Sequence, residues 1–137
     1  MKRLATFTLL AFAAIVPAAA TAHNVTYKPT VATLFLTEGF GDETDVLGIF
    51  DFTKGVGPPD QLRKCERNRK GSIFRVGGGK IVTLTGDEHG NFRGTVLKSK
   101  APAGSYYGKF PKRVLKKNRK HKHVCKGATT RRVAWAG

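Results

Sequence analysis

The chain has 137 residues, of which 25 are Lys or Arg and 9 are Asp or Glu, for a formal net charge of +16. That length predicts one domain with a core of limited depth. Beyond Ala22 no stretch is long and apolar enough to cross a bilayer, which takes about 20 such residues.

The first residues set the compartment. Lys2 and Arg3 precede an uncharged apolar run from Leu4 to Val16, and Pro17 leads into Ala18-Ala19-Ala20-Thr21-Ala22. Charge, short apolar core and small residues, in that order, make residues 1–22 a secretory signal peptide. Cleavage after Ala22 fits the small-x-small rule and makes His23 the new N-terminus; cleavage after Ala20 is the competitor. Residues 23–137 then form one secreted domain, extracellular or periplasmic, whose net charge is about +14 once Lys2 and Arg3 are gone. The charge is uneven: Glu38, Asp42, Glu43, Asp45 and Asp51 crowd the early part, and no carboxylate side chain follows Glu88.

In chain order, the polar stretch 23–30 reads as a flexible lead-in. Val31–Leu36 is rich in β-branched and large apolar residues and predicts a strand, followed by a Gly- and Asp-rich loop. Val46–Phe52 predicts a second strand, and the Gly/Pro-rich Thr53–Asp60 predicts a loop. Arg69–Val76, Lys80–Thr85, Asn91–Lys98 and Ser105–Phe110 predict four more, separated by glycine turns. Pro111–Leu115 extends the last of these past a kink. Lys116–Lys120 is a basic turn centred on Asn118. His121–Lys126 is a seventh strand, and Arg131–Ala136 a short last one with Trp135 as a lid on the core. No amphipathic helix and no repeat is visible. Strands near ten residues apart predict an all-β, Greek-key-type sandwich of about seven strands.

The two cysteines, Cys65 and Cys125, sit in a chain read as exported and pair as one disulfide. Closing a loop of about 60 residues stabilises by about 4 kcal/mol in the chain-entropy model.

The run T-G-D-x-x-G-N-F at Thr85–Phe92, with A-P-A-G-S-Y-Y-G-K-F at Ala101–Phe110, resembles the carboxypeptidase regulatory-like family of transthyretin-like sandwiches. There an Asp-x-x-Gly-x-aromatic turn joins two strands and a Gly-x-Tyr starts the next. The resemblance covers roughly Val46 to Phe110. It implies an accessory β-sandwich module with no catalytic residues to carry over. The cysteine pair and the basic last quarter depart from the family pattern.

Catalytic constellations are missing from the sequence: no Gly-x-Ser-x-Gly, no phosphate loop, no His-Glu-x-x-His. Asp87-Glu88 lies in a hairpin connection, where Asp caps the turn. The expectation is therefore no enzyme and no cofactor. The acidic Asp42-Glu43-x-Asp45 lacks the spacing of a calcium loop. An N-terminal His23 offers an amine and an imidazole together, and with His89 or the His121-x-His123 pair would suit Cu(II). The strongest surface feature is basic: Lys112, Arg113, Lys116, Lys117, Arg119, Lys120 and Lys122. Such density suits anionic polymers and cell-surface components, and nucleic acid without sequence preference. Tyr106, Tyr107 and Phe110 lie nearby and could stack bases, although their spacing suits core positions. The sequence thus predicts a non-catalytic secreted module that binds anionic material. A copper-binding protein is the alternative, and an enzyme with dispersed catalytic residues ranks last.

Overall fold

The computed structural model of the chain describes residues 23–51, 59–118 and 121–137. The signal-peptide reading, most of the Thr53–Asp60 loop, and Arg119 and Lys120 lie outside the described residues. The chain runs β1 (His23–Tyr27), β2 (Val31–Glu38), β3 (Glu43–Asp51), α1 (Pro59–Glu66), β4 (Lys70–Arg75), β5 (Lys80–Thr85) and β6 (Asn91–Leu97). A 3₁₀ turn over Lys98–Lys100 follows. Then come β7 (Gly104–Phe110), β8 (Arg113–Lys117), β9 (His121–Cys125), β10 (Ala128–Thr129) and β11 (Val133–Trp135).

Three sheets result. One is antiparallel β2-β3-β6, and a second is β10-β7-β4-β5, with β11 also on β7. Their inner faces supply the core: Leu34 and Val46 from β2 and β3, Phe92 and Val96 from β6, Leu84, Ile73, Tyr106 and Phe110 from the facing sheet. Along β6 and β7 every second residue points inward, the period that a half-buried strand imposes. The third sheet, β1-β9-β8, stands beside this sandwich and carries Cys125.

The Greek-key expectation is met by β4 to β7. β7 lies beside β4, β4 beside β5, and β6 packs against β5 around the corner at Gly86–Gly90 while bonding to β3, so the spatial order is 4-1-2-3. Two glycines permit the close packing at this corner. A Cβ on Gly94 would sit 2.5 Å from Leu84 Cδ2, and one on Gly71 would sit 2.5 Å from the Phe110 ring, which itself packs at 4.8 Å on Phe92. The Tyr106 hydroxyl donates to the Pro102 carbonyl four residues upstream, as in the tyrosine corner of Greek-key sandwiches.

The disulfide joins Cys65 and Cys125 across 60 residues, both sulfurs buried. Four sequence expectations need correction. Residues 23–27 are a strand rather than part of a flexible lead-in: β1 pairs in parallel with β9, and Tyr27 is fully buried. A parallel partner almost 100 residues away leaves no local signature. Pro59 and Asp60 do not belong to a loop, and a helix does exist. Pro59 opens α1, since proline's missing N–H costs nothing at a first helical position, and three residues of spacing put Leu62 and Cys65 on the buried face. Pro111–Leu115 does not extend β7; the chain leaves that sheet at Pro111, and β8 pairs with β9 instead. The described residues hold eleven β segments, not about seven, because β10 and β11 are two- and three-residue edge pairings.

Trp135 is half-buried against the core, and its indole Nε1–H donates to the Ala101 carbonyl at 3.0 Å. Trp135→Ala is expected to cost about 3 kcal/mol in urea unfolding, and Trp135→Phe only about 1 kcal/mol, the share of the lost hydrogen bond. Equal losses in the two variants would show that the N–H, and not the ring, holds this edge.

Candidate polyanion-binding surface

The basic segment folds as the hairpin β8–β9. Asn118 closes it: its N–H donates to the His121 carbonyl at 3.0 Å, and its Oδ1 accepts from the His121 N–H at 2.6 Å. Asn suits such a position because its short side chain bonds neighbouring backbone. The ladder then sets cation beside cation, with Lys117 opposite Lys122 and Lys116 opposite His123. Lys112, before the hairpin, and Lys122, within it, are exposed.

Arg113 differs from its neighbours. Its guanidinium donates to the Lys64 carbonyl at 3.0 Å, the Arg67 carbonyl at 2.6 Å and the Asn68 carbonyl at 3.1 Å. These carbonyls lie at and just past the C-terminal end of α1, where backbone acceptors lack helical partners and the dipole favours a cation. Arg113 therefore roots the hairpin on the helix, and the disulfide fixes the same junction from the other side.

Sequence inspection missed Arg69. It is buried, and its guanidinium donates to the carbonyls of Cys65 and Lys126, each at 3.1 Å, and to that of Pro111. It ties together α1, the link from β7 to β8 and the link from β9 to β10. Burial, then repulsion from Arg113, lowers its pKa to about 10, so the group stays charged at neutral pH. The only available signal was position: an Arg immediately before a strand whose next inward residue is Gly71.

The four histidines divide. β1 and β9 run in register with His23 beside His121 and Val25 beside His123, so the ladder brings three of them onto neighbouring strands. His123 Nδ1 lies 3.0 Å from the buried Tyr27 hydroxyl. Register sets Lys116 opposite His123 and Lys117 opposite Lys122. Among the described residues no three His, Cys, Asp or Glu side chains are grouped to hold a metal. His89 is elsewhere, on the corner between β5 and β6, 3.4 Å from Glu88. Asp87 shapes that corner. Its Oδ1 accepts from the His89 N–H at 2.8 Å and the Asn91 N–H at 2.9 Å, and its Oδ2 from the Asn91 side chain at 3.0 Å. These bonds, the Asn91 side chain's foremost, hold the carboxyl below its ordinary pKa. The turn is thus stabilised at neutral pH and loses that support as acid protonates Asp87.

The aromatic triplet also divides. Tyr106 and Phe110 are buried, and Tyr107 points to the other side of the sheet, where it stacks on Phe74 at 5.5 Å between centroids and 15° between planes.

No protein-family model matches this chain, and comparison with curated proteins and with solved structures finds no significant match. Among the described residues no helix is long and apolar enough to cross a membrane.

Proposed function

We propose that the chain is a non-catalytic, secreted binding module that holds anionic extracellular or cell-surface polymers through its basic last quarter. The observation that supports this most directly is the β8–β9 ladder. It sets lysine beside lysine in a half of the chain that carries no carboxylate side chain after Glu88. Three covalent or hydrogen-bonded anchors brace the hairpin root: the disulfide, Arg113 and Arg69. A braced cationic hairpin keeps its charges together at little entropic cost on binding. The resemblance to carboxypeptidase regulatory-like modules supports an accessory role in place of catalysis.

The reading is tested by heparin and duplex-DNA affinity measured from 50 to 200 mM salt. Four phosphate contacts weaken wild-type binding about 100-fold over that range, because the log–log slope is about −0.9 per phosphate neutralised. A variant carrying Lys116→Ala, Lys117→Ala, Arg119→Ala and Lys120→Ala together is expected to lose most of both the affinity and the slope. It should treat all duplex sequences alike, since phosphate contacts carry no base information. Retention of slope in that variant moves the site off the hairpin, and a wild type that binds nothing at low salt ends the reading.

A further inference from the structure

The outer face of the β10-β7-β4-β5 sheet carries a second cationic surface, built differently from the hairpin. Register places two rows across it. The first runs Thr129, Lys109, Ser72, Thr83 over β10, β7, β4 and β5. The second runs Tyr107, Phe74, Lys80. Phe74 and Tyr107 are only half-buried. Outward positions on a sheet that meets only water are ordinarily polar, so a stacked aromatic pair there asks for a partner. Lys109 Nζ lies 5.3 Å from the Phe74 centroid and 5.6 Å from that of Tyr107, within cation–π range of both.

Two shallow grooves meet at this pair. One, of about 600 Å³, runs past Phe74 and Lys109 toward Pro111 and Gly127. The other, of about 340 Å³, runs past Tyr107 toward Gly77 and Arg132. Neither groove is lined by a carboxylate. The pair is thus an aromatic stack set among three exposed cations, Lys80, Lys109 and Arg132.

We propose that this face binds single-stranded nucleic acid, with bases extending the Phe74–Tyr107 stack and phosphates meeting Lys109, Lys80 and Arg132. A phosphate oxygen attracts an ammonium more strongly than a ring face does. An arriving strand therefore draws Lys109 off the two rings and opens them to a base. A duplex keeps its bases stacked inside and uses only the cations. Every base has a π-face, so the site takes any sequence. The parallel planes of the pair continue a π-stack, which favours nucleobases over the rings of acidic sugars. The proposal stands apart from polymer binding by the hairpin, because no hairpin residue lines either groove.

The test uses a fluorescein-labelled (dT)10 oligonucleotide with full-length wild-type protein and two double variants. One is Phe74→Ala with Tyr107→Ala. The other, Phe74→Leu with Tyr107→Leu, keeps apolar volume and removes the π faces. Trp135 emission confirms the fold of each. Both variants are expected to weaken (dT)10 binding by about tenfold or more, the scale of one lost base–aromatic stack. Heparin and duplex-DNA affinity should stay as in wild type. Lys109→Ala should reduce the single-strand salt slope by about 0.7. Equal wild-type affinity for (dT)10 and an abasic deoxyribose-phosphate decamer would overturn the proposal, as would unchanged (dT)10 binding in the Leu variant. Selective loss of a sulfated or uronate oligosaccharide in place of (dT)10 would also overturn it and mark the face as a glycan platform. The hairpin variant, with its three lysines and one arginine replaced, should still bind (dT)10, which separates failure here from failure of the hairpin reading.

Discussion

Cys65→Ser with Cys125→Ser is expected to lower unfolding free energy by about 4 kcal/mol, the loop-closure term for a disulfide spanning 60 residues. That is a large share of the 5–15 kcal/mol a small domain has in total. The loss should not be spread evenly. α1 is eight residues long, too short to hold a helix alone, and it buries only Leu62, Cys65 and Glu66 among its described side chains. Among the described residues, the β1-β9-β8 sheet and its flanking links are tied to α1 and the chain just after it by the disulfide, Arg69 and Arg113. Without the disulfide, α1 and that sheet should open below the global transition, while β4, β5 and β7 stay protected until the sandwich itself unfolds. Amide exchange on the double variant measures this directly. A uniform fall in protection would mean that the third sheet and the sandwich form one cooperative unit. A loss below about 1 kcal/mol would mean that the unfolded chain already holds these segments together.

The strands of the sandwich were legible because their side chains alternate. Gly71, Ile73 and Phe92, Val96 fall on one face, and Ser72, Phe74 and Arg93, Thr95 on the other, and no tertiary knowledge is needed to see a period of two. The disulfide was legible because the chain offers only one pairing of cysteines. β1 was not, because its stability comes from β9, and a parallel neighbour so far along the chain leaves the local pattern unmarked. α1 was hidden by the proline and glycine before it and by its length of two turns. Its helical state depends on the Cys65 sulfur and on Arg113 at its end, both tertiary facts.

The candidate sites follow the same division. Lys density identified the hairpin, but composition cannot separate a cation facing solvent from one bonded to carbonyls, so Arg113 read as one more surface charge. The outer-face pair could have been found. Tyr106 and Tyr107 are adjacent in a strand, so only one of them can be core; the inward residues Gly108 and Phe110 place Tyr107 outside, and the same period places Phe74 outside beside inward Ile73. What the sequence withholds is the register that sets these two rings together.

Arg69→Met is the second substitution with a large expected effect, a loss of about 3–5 kcal/mol. Arg69 is 2% exposed, so its charge has been taken out of water, and burial, then repulsion from Arg113, pulls its pKa down to about 10. That cost is borne because the planar fork reaches three carbonyls at once, those of Cys65, Pro111 and Lys126. Met keeps most of the stem's volume and removes the charge, so desolvation relief works in the variant's favour. The three carbonyls, however, lose their donor together; the Cys65 contact is buried and the other two are part-buried, and an acceptor left buried and unsatisfied costs about 1–3 kcal/mol. The carbonyls should win, because they outnumber the single charge and belong to three different segments. Arg69→Lys separates charge from geometry. One ammonium carries the same charge but cannot span the three acceptors, so it should recover less than half of the loss. Urea unfolding of wild type, Arg69→Met and Arg69→Lys at pH 7 decides the point. A Lys variant as stable as wild type would mean that charge alone suffices. A Met variant within about 1 kcal/mol of wild type would mean that the desolvation cost of Arg69 offsets its hydrogen bonds.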